Sequence, residues 1–114
     1  MQDLVKTFKA LSDPSRIRIL KMLEIRPLCV CEITAVLGLA ASTVSKHLSI
    51  LRNAGLIFDQ KEGKWVNYYL NTTSQKNYVR DLLPLVRKWL PEEAQIQRDK
   101  GNVKHVKREL LCKG

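Results

Sequence analysis

A mostly α-helical fold with one small β-hairpin is predicted by three observations. Apolar residues recur at helical spacing through most of the chain. Two of these helical patterns meet at a tight turn on Gly38, and the second is apolar on one side and polar elsewhere. Two short alternating segments follow directly, with a charged, glycine-containing turn between them. Helix, turn, helix and hairpin in that order make a winged helix-turn-helix of about five or six helices with a two-stranded wing.

The elements follow in order. Leu4, Phe8 and Leu11 form the apolar stripe of a first helix, which Ser12-Asp13-Pro14 stops. Asp13 is a good N-cap and Pro14 a good first residue for a second helix. Ile17, Ile19, Leu20, Met22, Leu23 and Ile25 give that helix a face broad enough to need burial on more than one side, and Pro27 ends it. Val30, Ile33 and Leu37 define a short third helix, which Gly38 stops because glycine takes the left-handed conformation most cheaply. In the fourth, Val44, Leu48 and Leu51 face inward, while Ser42, Thr43, Ser45, Lys46, His47 and Ser49 spread over the remaining surface. Gly55 closes it.

Strands are expected over residues 56–60 and 64–70, with Lys61-Glu62-Gly63 as a basic hairpin tip. Val79, Leu82, Leu83, Val86, Trp89 and Leu90 then form the stripe of a fifth helix. Pro84 falls inside it, where an interior proline costs roughly 3 kcal/mol and kinks or splits a helix. Residues 1–91 are therefore expected to be the winged-helix domain, and 92–114 a charged C-terminal helix or tail.

A length of 114 residues, 45% hydrophobic and 27% charged, suits one globular domain with a modest core. No apolar run approaches the roughly 20 residues that span a bilayer, and the N-terminus does not resemble a signal peptide, so a cytoplasmic protein without a membrane partner is expected. A formal charge of +9 favours a nucleic-acid partner. Three cysteines cannot all pair within one chain, and in a reducing compartment a close pair points to metal or redox chemistry. Cys29 and Cys31 stand one residue apart where the third helix begins.

The segment Phe8-Lys9-Ala10-Leu11-Ser12-Asp13-Pro14-Ser15-Arg16-Ile17-Arg18-Ile19-Leu20 resembles the entry to the second helix in the ArsR/SmtB family of winged-helix repressors. Thr43-Val44-Ser45-Lys46-His47-Leu48 through Gly55-Leu56-Ile57 is similar to that family's recognition helix, and residues 61–70 to its wing. Within the family, Leu28-Cys29-Val30-Cys31-Glu32-Ile33 resembles the arsenic- and antimony-responsive branch. The resemblance implies a homodimer on double-stranded operator DNA, released when As(III) or Sb(III) arrives as inducer. It also implies a dimer interface from residues 2–12 and 76–90. The chain departs from the branch at three places. Thr34 stands where a third cysteine is common, Ala40 where a capping serine is common, and Ala41 where many relatives carry a polar DNA contact.

Soft thiolates suit a soft, three-coordinate metalloid, and Cys29 with Cys31 supplies two of them. In a regular helix residues i and i+2 point about 200° apart, so both sulfurs meet one atom only at a non-helical helix start or an unwound one. Cys112 is the one further cysteine and the candidate third ligand. Ser42, Thr43, Ser45, Lys46 and His47 are expected in the major groove, with Arg52, Lys61 and Lys64 on phosphates. Two alternatives keep the same surface: oxidant sensing through Cys29 and Cys31, and sensing of an organoarsenical that needs only two thiolates. A thiol enzyme is not expected, because a Cys-x-x-Cys motif and an alternating βα pattern are absent from the sequence.

Overall fold

A computed structural model describes residues 1–111, so Cys112 lies outside the described residues. Its helices are α1 (Gln2–Ala10), α2 (Pro14–Leu23), α3 (Val30–Leu37), α4 (Ala41–Asn53), α5 (Asn77–Lys88), α6 (Ala94–Val103) and the single turn α7 (Arg108–Leu111). The strands are β1 (Leu28–Cys29), β2 (Ile57–Glu62) and β3 (Trp65–Leu70), in the antiparallel order β1-β3-β2. The winged helix-turn-helix is thus present, with one strand more than the expected two. β1 is two residues long, too short for any periodicity to reveal it. It pairs Leu28 with Tyr68 and Cys29 with Asn67, tying the start of α3 to the wing.

The stop signals act as the side-chain chemistry requires. Asp13 caps α2 by accepting from the Arg16 N–H at 3.1 Å, with Pro14 as first helical residue. Gly38 ends α3 at φ 71°, where a Cβ would be strained. The hairpin turn is tighter than expected, because β2 runs on through Lys61-Glu62 and only Gly63-Lys64 connect the strands. Gly63 at φ 63° takes the first central position, which a type II′ turn reserves for glycine.

Two expectations are corrected. α5 runs unbroken through Pro84, which sits on its exposed side while Leu82, Leu83 and Val86 hold the helix to the core. The stripe on α1 does not enter the core either: Leu4 and Phe8 are 37% and 54% exposed, and Thr7 and Ala10 are buried instead. Val5, Leu85, Trp89 and Leu90 are exposed as well. One chain leaves these apolar groups on α1 and at the end of α5 without a cover.

The core joins Ile19, Leu20, Met22, Leu28, Ile33, Val44, Leu48, Leu51, Leu56, Ile57 and Val79 beneath the helix-turn-helix. Buried Lys21 crosses it to donate to the Val86, Arg87 and Trp89 carbonyls at 3.0, 3.2 and 2.8 Å, capping the end of α5 with a cation. The segment after Pro91 is helical and docked. Arg18 grips buried Asp99 of α6 through two hydrogen bonds of 2.8 and 2.9 Å. No single helix among the described residues is long and apolar enough to cross a membrane.

Candidate thiol centre and nucleic-acid interface

Cys29 and Cys31 lie on either side of a strand-to-helix junction. Cys29 is extended (φ −89°, ψ 168°), ends β1 and serves as N-cap of α3, while Cys31 is already in the first helical turn. The junction is therefore non-helical at the first cysteine, while the second is already held in the helix. Cys29 is 4% exposed. Cys31 is half-buried and lines a shallow cavity of about 290 Å³ with Val30, Thr34, Ala35, Ala41 and Leu111. Ala41 opens α4, so this cavity touches both helices of the helix-turn-helix.

A carboxylate that sequence reading passed over organises the junction. Glu32 and Cys29 form a reciprocal capping box, with the Glu32 N–H facing the Cys29 sulfur and Glu32 Oε1 accepting from the Cys29 N–H at 3.0 Å. Cysteine here takes the place usual for serine or threonine, and the three-residue spacing to Glu32 was the available signal. Glu32 is 2% exposed, yet its charge is well compensated. Arg26 donates to Oε2 at 3.0 Å and Arg108 to Oε1 at 3.2 Å. Burial pushes the Glu32 carboxyl up, but the Cys29 N–H and the Arg26 guanidinium outweigh it and hold the group below its ordinary value. Burial dominates at Cys29 and raises its thiol above the ordinary value. Arg26 and Arg108 come from distant segments, and neither spacing nor composition marked them.

Asn67, opposite Cys29 across the β1–β3 ladder, is buried with its Nδ2 donating to Glu62 Oε1 at 2.8 Å. The Tyr69 hydroxyl donates to the same oxygen, and the Tyr69 ring stacks on Phe58 at 5.1 Å. These contacts stiffen the wing that β1 joins. Among the described residues no group of three or more His, Cys, Asp or Glu is placed to hold a metal ion. Cys29 is a free thiol and Cys31 is disulfide-bonded, so the junction offers two soft thiolates once Cys31 is reduced, a donor set that fits a thiophilic centre better than a hard cation.

The residues expected at DNA form one exposed tract and one paired group. Ser42, Thr43, Ser45 and Lys46 are all exposed along the first half of α4. His47 is half-buried, its Nδ1 3.3 Å from Arg16 Nη1, so it leans toward α2. Arg52 is exposed but ion-paired with Asp59 of β2 at 3.3 Å. Lys61 is exposed on β2, and Lys64 in the hairpin turn holds its ammonium 5.1 Å from the Trp65 ring centroid. Helix α4 has no side-chain cap: Ala40 occupies the N-cap, and Ser42 sits inside the helix.

Residues 13–58 match the family described as bacterial regulatory protein, arsR family. The chain is 41% identical over 68 residues to the arsenical resistance operon repressor of Escherichia coli, covering 59% of this chain and 58% of that protein. It is 40% identical over 78 residues to a cadmium resistance transcriptional regulatory protein homolog of Staphylococcus aureus, covering 68% of this chain and 64% of that one. Each of these two matches spans less than two thirds of the relative. An arsenic resistance transcriptional regulator of Pseudomonas putida is 35% identical over 92 residues, with 76% of this chain and 79% of the relative covered. Among solved structures, the homodimeric winged helix-turn-helix DNA-binding domain of a possible ArsR-family regulator from Mycobacterium bovis superposes with a TM-score of 0.66 at 26% identity, covering 82% of each chain. On fold and on sequence alike, this chain belongs to the ArsR family of bacterial regulatory proteins.

Proposed function

We propose that the protein is a dimeric transcriptional repressor that binds operator DNA and is released when trivalent arsenic or antimony binds Cys29 and Cys31. The observation that carries this reading is the position of the two cysteines, both thiols in the reduced protein, across the β1–α3 junction at the opening of the first helix of the helix-turn-helix. DNA binding is assigned to Ser42, Thr43, Ser45 and Lys46 of α4, with His47 beside them and Arg52, Lys61 and Lys64 toward phosphates. The apolar groups left exposed on α1 and α5 are assigned to the dimer interface. The C-terminal segment, residues 92–114, is assigned Cys112 as third ligand.

The chemistry is ligand exchange without electron transfer. At Cys29 and Cys31 each thiol passes its proton to a hydroxide leaving arsenous acid, so two As–O bonds become two As–S bonds and two waters leave; Cys112 replaces the third hydroxide in the same way, releasing a third water. The sulfurs must converge, and an undistorted α3 keeps them apart, so metalloid and operator favour different junction geometries and oppose one another. A divalent soft cation such as cadmium would instead displace two protons into solvent, making its affinity rise steeply with pH. Arsenite binding by the same thiols is nearly flat between pH 6 and 8.

The test is a fluorescence-anisotropy titration of arsenite into reduced protein bound to its own upstream DNA. Wild type is expected to release the DNA, and Cys29→Ser and Cys31→Ser to bind DNA but ignore arsenite. Cys112→Ser is expected to respond only at higher arsenite. If either Cys29→Ser or Cys31→Ser still releases DNA with wild-type sensitivity, the thiol assignment is wrong. Release by cadmium alone, or by peroxide alone, would replace the metalloid with that signal.

A further inference from the structure

Beside the β1–β3 ladder, one carboxylate oxygen links the helix-turn-helix to the wing at the thiol centre. Glu32 Oε1 accepts from the Cys29 N–H at 3.0 Å and from Arg108 Nη2 at 3.2 Å. The same Arg108 guanidinium lies 5.3 Å from the Trp65 ring centroid, within cation–π range. Trp65 opens β3 and faces Glu62 at the tip of the hairpin. The other oxygen, Oε2, is held by Arg26 at 3.0 Å, and Arg26 also donates to the Val103 and Val106 carbonyls at 3.0 and 3.2 Å. Glu32 thus has one oxygen fixed to the end of α6 and one shared between the cysteine junction and the wing.

From this we infer that, once Cys31 is reduced, Glu32 and Arg108 are a positioning pair that carries occupancy of the Cys29–Cys31 centre to the wing; the inference rests on the sensor reading above. The capping box holds only while Cys29 keeps its extended N-cap geometry. Turning both sulfurs toward one atom rotates the Cys29 backbone and withdraws its N–H from Oε1. The carboxylate then shifts against Arg108, whose planar fork cannot keep both the oxygen and the ring face once they separate. Trp65 loses one of its two cations, leaving Lys64, and the wing changes its angle to α4. Arg108 touches neither DNA nor sulfur in this account. It belongs to α7, which packs against α3, and its 18% side-chain exposure shows that it is docked.

The experiment uses the whole chain under reducing conditions, with the conservative Trp89→Phe as background, which keeps an aromatic ring at the assigned dimer face and leaves Trp65 as the single tryptophan. Sodium arsenite is titrated into the protein, free and on its upstream DNA, with Arg108→Ala and Arg108→Lys compared. In the background protein, arsenite is expected to weaken DNA binding and shift Trp65 emission. Arg108→Ala is expected to bind arsenite with unchanged stoichiometry, yet to lose about three- to thirtyfold of the arsenite-induced change in DNA affinity. Its Trp65 emission should no longer respond. Arg108→Lys, which keeps charge but not the fork, should fall between the two. The ratio with and without arsenite cancels any general effect of removing a charge near DNA. Full response in Arg108→Ala, in both affinity and Trp65 emission, overturns the inference alone. A background protein that holds DNA equally with and without arsenite overturns the sensor reading and this inference together.

Discussion

Glu32 is the residue on which most of the local chemistry turns. Its carboxylate compensates two guanidinium groups and a backbone N–H inside the fold. Glu32→Gln keeps the shape but removes the charge, leaving Arg26 and Arg108 facing a neutral amide. Both arginines retain some solvent, so the expected loss is about 1–3 kcal/mol rather than the larger cost of a sealed pair. Because the folded state holds Glu32 below its ordinary value of 4.5, the stability it contributes is present above that pH. It is lost as pH falls through the lower, folded value. Urea unfolding at pH 7 and at pH 3.5 checks this: wild type should lose its advantage over Glu32→Gln toward the lower pH. An equal gap at both would mean that the charge of Glu32 contributes nothing. The sequence displayed the two cysteines plainly, and the Cys29-x-x-Glu32 spacing was there to be found. Arg108 was invisible, since its partner lies 76 residues away and no local pattern links them.

Among the elements, α4, the helix proposed to reach DNA, starts without a side-chain cap. Ala40 cannot accept from the first-turn N–H groups, so they rely on solvent or on DNA phosphate. Ala40→Ser should stabilise the free protein by about 1 kcal/mol, read as a raised midpoint in urea; an unchanged midpoint would show that the helix start is satisfied otherwise. Lys46→Ala should weaken operator binding severalfold and lower the salt slope by about one, with arsenite affinity unchanged. An unaffected operator affinity would move the reading surface elsewhere. The order of helices and hairpin was legible because periodicity and stop residues agreed at Asp13, Gly38 and Gly55. Two elements were not. β1 is a pairing of two residues that only the folded wing provides. The continuity of α5 through Pro84 follows from the burial of Leu82, Leu83 and Val86, a tertiary gain that outweighs a local penalty.

At the scale of the molecule, one chain has more apolar surface on α1 and α5 than its own core covers. Leu11, Ile17, Val86, Trp89 and Leu90 line a common cavity of about 290 Å³ with Lys21, so the ends of these helices meet on one side. In the proposed dimer a second copy covers that side and two copies of α4 reach one face of DNA, with half-sites roughly 34–36 Å apart. Phe8→Glu should abolish the dimer, because a carboxylate replaces a ring worth about 1.5–3 kcal/mol of burial on each side of a symmetric contact. Sedimentation velocity should show a folded monomer that no longer holds operator; a wild-type dimer would place the interface elsewhere. A dimer carries a formal charge of +18, twice +9, so operator affinity should fall steeply with salt.

In the proposed mechanism the thiol centre and the DNA surface oppose one another through α3. Its most direct test is the affinity of the reduced protein for arsenite, measured once free and once saturated with operator. Linkage requires arsenite to bind the operator complex more weakly, by the same factor by which arsenite weakens operator binding. Equal arsenite affinity in the two states would contradict the account, whatever the cysteine variants show.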